Sequence, residues 1–164
     1  MPNRGPKTGG GHLARKSALA IARAGKPAFE DILLVEDKDK EAARLTSTLN
    51  VIFNRTASIR RATTLAKALD AVIAKKPDLI FLDDLLPPND NALLTIPFVR
   101  RCGYEGPIVV VSSELTRQRR ALLLAAGAIE AVHKDDVDGI EIEEALSKVY
   151  AAISAAATPA KPQP

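Results

Sequence analysis

Short apolar runs and stretches of helical periodicity alternate along the middle of this chain. Short apolar runs bounded by Pro, Gly or polar residues are typical of strands, and apolar residues recurring every three or four positions are typical of amphipathic helices. We predict strands at about 31–35, 57–62, 79–83, 108–111 and 129–133. We predict helices at about 39–50, 64–76, 92–102, 117–126 and 139–155. This alternation predicts an α/β fold: a doubly wound, five-stranded parallel sheet with five helices.

Two positions predict details of individual helices. Pro97 interrupts the helix at 92–102, so we expect that helix to kink or to begin late, with Pro97 in its first turn. Gly127 follows the helix at 117–126, and we expect it to end that helix in the left-handed conformation.

The charge of the chain is unevenly distributed. The net charge is +3 over 164 residues, but residues 1–28 hold six Lys or Arg and no acid, whereas 29–154 hold 16 Lys or Arg against 20 Asp or Glu. We predict a flexible basic arm over 1–28, one domain over 29–154 and a flexible tail over 155–164. The mildly acidic domain does not indicate nucleic-acid binding.

Other features of the composition narrow the class of protein. The apolar share of 46% is enough for a packed core. Cys102 is the single cysteine, which excludes an internal disulfide and fits a reducing compartment. No apolar run reaches the length of a membrane span, and the alanine-rich segment near the start makes a poor signal peptide. We therefore expect a cytoplasmic protein.

Polar residues follow four of the five predicted strands. Glu36 and Asp37 follow the first strand, Asp83 ends the third, Ser112 follows the fourth and Lys134 the fifth. The carboxyl ends of parallel strands meet at one edge of a sheet, where ligands bind. Carboxylates gathered there repel one another unless a cation or proton intervenes. The pattern predicts a metal site, and Mg²⁺ suits its hard oxygen ligands.

The same residues suit phosphoryl chemistry. An Asp carboxylate such as Asp83 can act as a nucleophile and become an aspartyl phosphate. Lys134 would neutralise one phosphoryl oxygen, and Ser112 would donate a hydrogen bond to another. Taken singly, each residue has a plainer interpretation. Glu36 and Asp37 would cap a helix, Ser112 would be an N-cap, and Lys134 would be a surface lysine.

Four segments of the chain recur in the order known from one protein family. They are ILLVED at 32–37, PDLIFLDDLLP at 77–87, PIVVVSS at 107–113, and Gly127-Ala128 followed by Lys134. Ser112 lies 29 residues and Lys134 lies 51 residues after Asp83, which are family-like separations. In these features the sequence from about 30 to 154 resembles the receiver domain of two-component response regulators. The resemblance implies a flavodoxin-like sheet with strand order 2-1-3-4-5.

The resemblance also implies a role for each acid. Asp83 matches the position that accepts a phosphoryl group from a histidine kinase. Glu36 and Asp37 match the acidic pair that binds Mg²⁺. Leu85, two residues after the acceptor, would contribute its backbone carbonyl to the same metal. The implied ligand set is therefore three carboxylates and one carbonyl.

The switch region matches the family only in part. Ser112 matches the switch hydroxyl, and Lys134 matches the phosphate-binding lysine. Ala131 stands where receivers often place an aromatic residue that swings inward, and Asp135 stands where they usually place proline after a cis peptide bond. A non-proline cis bond costs about 3–4 kcal/mol, so we expect a trans bond after Lys134. Any conformational output must therefore use contacts other than an aromatic ring.

We predict a single-domain response regulator whose partner is a sensor histidine kinase or a histidine phosphotransfer protein. With no DNA-binding output domain, its output would be protein–protein contact or onward phosphotransfer, and we expect no enzymatic activity beyond slow autodephosphorylation. One alternative is a phosphate-insensitive pseudo-receiver scaffold, which Ala131 and Asp135 favour. Another is a haloacid-dehalogenase-type phosphatase, but that class needs an acid two residues after the nucleophile, where Leu85 stands.

Receivers often pair through the fourth helix, fifth strand and fifth helix, and this surface carries opposite charges. The basic side is Arg117, Arg119 and Arg120; the acidic side is Asp135, Asp136, Asp138 and Glu141. Such charges could pair across a two-fold axis to form a homodimer, or they could form an ordinary solvated surface. We interpret the neighbouring His133 as a packing or polar-edge residue rather than a ligand.

Overall fold

Five strands and five helices alternate along residues 29–157, the part of the chain that the computed structural model describes. The strands are β1 (Asp31–Val35), β2 (Ser58–Ala62), β3 (Leu79–Asp83), β4 (Ile108–Ser112) and β5 (Glu130–His133). The helices are α1 (Asp39–Ile52), α2 (Leu65–Ala74), α3 (Ala92–Arg101), α4 (Arg117–Ala126) and α5 (Ile140–Ala157). Every predicted element is present. The predicted basic arm, and the tail beyond residue 157, lie outside the described residues.

The five strands form one parallel sheet in the order β2-β1-β3-β4-β5. This confirms the predicted doubly wound architecture and its strand order. The three central strands β1, β3 and β4 are buried along their whole length, as their nearly continuous apolar sequences require. Because β1, β3, β4 and β5 are successive neighbours, their carboxyl ends lie side by side at one edge of the sheet.

Alternate residues of each strand supply two separate core layers. Ile32, Leu34 and Phe81 belong to the layer that also contains Leu45 of α1 and Leu146 of α5. The intervening strand residues face the opposite layer, which includes α2, α3 and α4: Leu33, Val35, Ile80, Leu82 and Val110. Side chains on a strand alternate between its two faces, so one apolar strand serves both layers.

Local caps fix where several helices begin and end. Thr64, Asn91 and Thr116 each accept a backbone N–H bond at the first turn of α2, α3 and α4. Gly127 ends α4 with φ of +119°, which confirms its predicted left-handed conformation. The late start expected for α3 is wrong. Because Asn91 caps the helix at Ala92, Pro97 lies inside it rather than in its first turn.

Two short elements follow strands and were not predicted. Leu85–Leu86 and Asp90–Asn91 pair as an antiparallel two-residue hairpin between β3 and α3, with a cis Pro87–Pro88 peptide at its tip. A turn of 3₁₀ helix, Lys134–Asp136, follows β5, and the peptide after Lys134 is trans, as expected. Within residues 29–157, no helix is both long and apolar enough to cross a membrane.

Candidate functional site

A cleft of about 560 Å³ opens at the carboxyl edge of the sheet. The ends of β1, β3, β4 and β5 each contribute to it. Its polar lining includes Asp37, Asp83, Ser112 and Lys134, together with Arg119 from α4. The sheet therefore brings together the side chains that the sequence placed at separate strand ends.

Three carboxylates converge at one end of the cleft, and we call Glu36, Asp37 and Asp83 the acid trio. One oxygen from each lies within 4.8 Å of an oxygen of the other two. Glu36 and Asp83 are buried, whereas Asp37 is half-buried and open to the cleft. Three hard oxygen donors at this spacing, one of them facing solvent, fit Mg²⁺ or Ca²⁺ that keeps part of its water shell.

Lys134 provides the positive charge of this region. Its Nζ lies 3.1 Å from Asp83 Oδ1 and 3.2 Å from Glu36 Oε2, and it also pairs with Glu41 of α1. Burial works against the ammonium charge, but the hydrogen bond with Glu41 and the charges of Asp83 and Glu36 raise the pKa of Lys134 above its ordinary value. Three carboxylates thus share one buried ammonium group.

The acid trio remains short of positive charge despite Lys134. Burial, with the nearby charge of Asp83, raises the pKa of Glu36 from 4.5 to about 7, against the opposing effect of its bond from the Lys38 N–H. Burial likewise raises the pKa of Asp83, although the Leu85 N–H, at 3.2 Å, and Lys134 stabilise its charge. Carboxylates with raised pKa values favour a proton or a metal ion beside them.

Asp84, the next residue, belongs to a different network. It accepts the Ser112 hydroxyl at 2.8 Å and a two-pronged bond from the Arg119 guanidinium, at 2.5 and 3.0 Å. The Ala92 N–H adds a longer bond of 3.3 Å. We call Asp84, Ser112 and Arg119 the Asp84 cluster. Burial opposes the charge of Asp84, but Arg119 and Ser112 outweigh burial and lower its pKa.

Arg61 of β2 fixes the loop that carries the acidic pair. Its guanidinium donates to the backbone carbonyls of Glu36 and Asp37, each at 3.0 Å, and to the carboxylate of Asp39 at 2.8 Å. A forked cation that binds two successive carbonyls holds the backbone in one arrangement. Sequence reasoning missed Arg61, because nothing in the residues of β2 shows which carbonyls its side chain reaches.

The remaining predicted residues occupy varied positions. Leu85 lines the cleft and donates its N–H to Asp83, and its carbonyl as a metal ligand stays a prediction. His133 accepts the Asp135 N–H on Nδ1 at 3.1 Å and so caps the 3₁₀ turn, consistent with a polar-edge residue. Ala131 is buried in the layer that contains Leu123 of α4. No aromatic ring occupies its place on β5.

Two of the three α4 arginines bind acids within the chain. Arg119 holds Asp84, and Arg120 binds Glu130 through two bonds of 2.8 Å. Arg117 is exposed at the first position of the helix. The charge pairing expected across a dimer therefore changes, because Arg119 and Arg120 already have intramolecular partners. The homodimer itself stays a prediction.

Comparisons with known proteins agree with this fold. A family model described as the response regulator receiver domain matches residues 32–147. A two-component response regulator from Clostridium difficile has 21% sequence identity and a TM-score of 0.64, over 79% of this chain and 99% of that chain. A BeF3-activated N-terminal receiver domain from Klebsiella pneumoniae has 26% identity and a TM-score of 0.55, over 64% and 86%.

A third solved structure is similar in fold. It is a response regulator protein from Burkholderia pseudomallei with a phosphorylated aspartic acid, a calcium ion and citrate. It has 20% identity and a TM-score of 0.61, over 77% of this chain and 72% of that chain. No curated protein matches the sequence closely enough to count as a relative.

Proposed function

Because the chain belongs to the family of response regulator receiver domains, we propose that Asp83 accepts a phosphoryl group from a phosphohistidine donor in a reaction that needs Mg²⁺. The observation that carries the proposal is the position of Asp83, between two further acids and one buried ammonium group. The Burkholderia relative, with its phosphorylated aspartic acid and calcium ion, supports it. The donor is a sensor histidine kinase or a histidine phosphotransfer protein.

The proposed transfer exchanges one bond to phosphorus for another. A carboxylate oxygen of Asp83 attacks the phosphorus of the donor. The bond between phosphorus and the donor's imidazole breaks, and its electron pair returns to the ring nitrogen. The product is an acyl phosphate on Asp83. Mg²⁺ held by the acid trio and the Leu85 carbonyl would offset the repulsion between the carboxylate and the incoming phosphoryl group.

Lys134 and Ser112 stabilise the transferred group in this proposal. The Lys134 ammonium lies 3.1 Å from Asp83 Oδ1, so a phosphoryl oxygen on that carboxylate is within its reach. The Ser112 hydroxyl now donates to Asp84 and would turn to a second phosphoryl oxygen. Charge-assisted bonds of this kind stabilise both the transition state and the product.

The signal would leave the domain by protein contact or by onward transfer of the phosphoryl group. We propose that this signalling takes place in the cytoplasm. The surface of α4, β5 and α5 is the proposed site of self-association. On this surface Arg117 of α4 is exposed, as are the acids Asp135, Asp136 and Asp138 of the 3₁₀ turn and the loop after it.

Intact mass spectrometry tests the proposal directly. The full chain is incubated with acetyl phosphate, a small phosphodonor, with and without Mg²⁺. We expect one phosphate adduct in the presence of Mg²⁺, slow loss of that adduct by hydrolysis, and no adduct in Asp83→Asn. Asp70→Asn, a change at an exposed aspartate of α2, is the matched control and should react like the parent protein.

The same measurement separates the alternatives. Absence of an adduct in the parent protein, together with absence of Mg²⁺ binding, would overturn the proposal in favour of a phosphate-insensitive scaffold. Repeated turnover of the phosphodonor with no lasting adduct would favour a phosphatase. Ala131 favours the scaffold alternative, because it stands where many receivers have the aromatic residue that they use for switching.

A further inference from the structure

Helix α4 is joined to the phosphoryl-acceptor strand by one buried carboxylate. We propose that the Asp84–Arg119 ion pair reports the phosphorylation of Asp83 to α4, through the hydroxyl of Ser112. The inference rests on the proposed function of Asp83. It makes Asp84 and Arg119 positioning residues, and it supplies a route for output that needs no aromatic residue at Ala131.

The first step is the alternation of side chains at the end of β3. Asp83 faces Lys134 and the other acids of the trio, whereas Asp84 faces Ser112 and Arg119. Successive residues of an extended chain point to opposite sides. A group bound at Asp83 therefore lies one peptide unit from the residue that holds α4.

The second step is competition for one hydrogen. A serine hydroxyl has one hydrogen to donate, and Ser112 donates it to Asp84 Oδ2 at 2.8 Å. Donation to a phosphoryl oxygen on Asp83 removes that bond from Asp84. The buried Asp84 carboxylate then keeps Arg119 and the long bond from the Ala92 N–H, so its preferred position changes.

The third step is the weak apolar anchoring of α4. Within this helix, all of which the structure describes, Leu123 is the one buried residue, whereas α3 buries four. Polar contacts therefore contribute a large share of what holds α4 to the sheet: Arg119 to Asp84 and Arg120 to Glu130. A helix with few buried contacts is a natural element to move when one of these contacts changes.

The ion pair and the acceptor site must influence each other reciprocally. If phosphorylation weakens the bond between Ser112 and Asp84, a change that weakens that bond must favour the phosphorylated state. Asp84→Asn removes a negative charge beside Asp83 and offers Ser112 a poorer acceptor. Arg119→Gln leaves the charge of Asp84 without its partner. The two variants should therefore shift the affinity for a phosphoryl mimic in opposite directions.

The experiment uses the full chain, Mg²⁺ and beryllofluoride as the phosphoryl mimic. We expect Asp84→Asn to bind beryllofluoride about three- to tenfold more tightly and Arg119→Gln about three- to tenfold more weakly. Hydrogen exchange of the amides at 117–126 reports α4. We expect beryllofluoride to speed this exchange about tenfold in the parent protein and to have little effect in either variant.

Two control variants make the outcome decisive. Gln118→Ala, at an exposed position of the same helix, should behave like the parent protein. Arg119→Lys keeps the charge without the two-pronged bond, so it should restore affinity and only part of the exchange response. If the ion pair is purely structural, its loss should destabilise both variants and shift their affinities for beryllofluoride in the same direction. That result, or a preserved exchange response in both, overturns the inference.

Failure of the proposed function gives a different result. A parent protein that binds no beryllofluoride and forms no phosphate adduct contradicts phosphorylation of Asp83 itself, and the inference falls with it. Normal binding and normal adduct formation, with variants indistinguishable from the parent, contradict only the role of the ion pair.

Discussion

Asp83 and Asp84 are adjacent carboxylates with opposite electrostatic surroundings. Burial raises the pKa of Asp83, and the one ammonium group that it shares with Glu36 and Glu41 does not offset this effect. Asp84 is also buried, but the bonds that it accepts from Arg119 and Ser112 outweigh burial, so its pKa is lowered. Burial raises the pKa of both residues. Only at Asp84 do the bonds that the carboxylate accepts outweigh burial, and this decides the sign of the shift.

This difference is the one that we expect between a reactive acid and a positioning acid. Groups at reactive sites often have perturbed pKa values and unmet electrostatic needs, which a substrate or metal then satisfies. A carboxylate already satisfied by a forked arginine gains little from another ligand. On this basis we expect the acid trio to bind a metal or a phosphoryl group, and the Asp84 cluster to hold the surrounding structure in place.

We expect the largest effect on stability when the carboxylate of Asp84 is removed. Asp84→Ala leaves Ser112 and Arg119 without their acceptor, and we expect a loss of about 2–3 kcal/mol in the free energy of unfolding. Asp83→Asn relieves repulsion and should cost nothing or stabilise by up to about 1 kcal/mol. Urea unfolding at pH 7 without metal measures both. Equal losses in the two variants would remove the contrast on which this comparison rests.

Addition of Mg²⁺ should stabilise through the acid trio alone. At a concentration ten times the dissociation constant, a ligand that binds only the folded state adds about 1.4 kcal/mol. We expect this gain in the parent protein and in Asp84→Asn, and its loss in Asp83→Asn. Thermal unfolding with and without Mg²⁺ is the measurement. A gain in stability that depends on Asp84 rather than on Asp83 would mean that the metal binds at the Asp84 cluster, and it would contradict the prediction.

The metal-free protein should become more stable as pH falls from 7 to 5. The pKa of Glu36 is raised from 4.5 to about 7, so the folded state holds a proton there that the unfolded state has lost. The stability that Glu36 contributes is complete below its pKa in the unfolded state. It is lost as pH rises through its pKa in the folded state. We expect a gain on the order of 1 kcal/mol, measured by urea unfolding in chelator.

Glu36→Gln is the test of that assignment, because it removes the titrating group. The gain in stability between pH 7 and pH 5 should then shrink to what Asp83, whose pKa is also raised, contributes. Below the ordinary range of carboxyl groups, stability should fall again in both proteins. Asp84 and Glu130 have lowered pKa values, and their contributions disappear once they are protonated. An unchanged pH profile in Glu36→Gln would show that another group carries the effect.

The fold and the acid trio were predictable because their signals are local. The apolar runs of β1, β3 and β4 are short and are bounded by polar residues or proline. In a parallel sheet the carboxyl ends of neighbouring strands lie together, and this does not depend on the conformation of the loops. The Asp84 cluster depends on contacts across long sequence separations, such as Arg119 to Asp84, which lie 35 residues apart. The early start of α3 depends instead on a local signal that the prediction passed over, because Asn91 caps the helix whatever the position of Pro97.

The hairpin and the pairing of the arginines show the same limit. Pro87 and Pro88 indicated a turn, but not that Leu85–Leu86 would pair with Asp90–Asn91. Arg119 was interpreted as part of an outer surface, because charge on a helix is usually solvated. Helical spacing does place Arg119 one turn before Leu123, the buried residue of α4. That spacing was the available sign that Arg119 faces inward.

The smallest predicted effect concerns Glu41, which competes with Asp83 for the ammonium group of Lys134. Glu41 is partly exposed and pairs with Lys134, which the phosphoryl group would need. Glu41→Gln weakens that competition by ~0.5 kcal/mol, typical of a partly exposed ion pair, so phosphorylation by acetyl phosphate should speed up about twofold. The measurement is the initial rate of adduct formation, with Glu105→Gln, an exposed and distant change, as control. A slower rate would mean that Glu41 positions Lys134 for the phosphoryl group instead of competing for it.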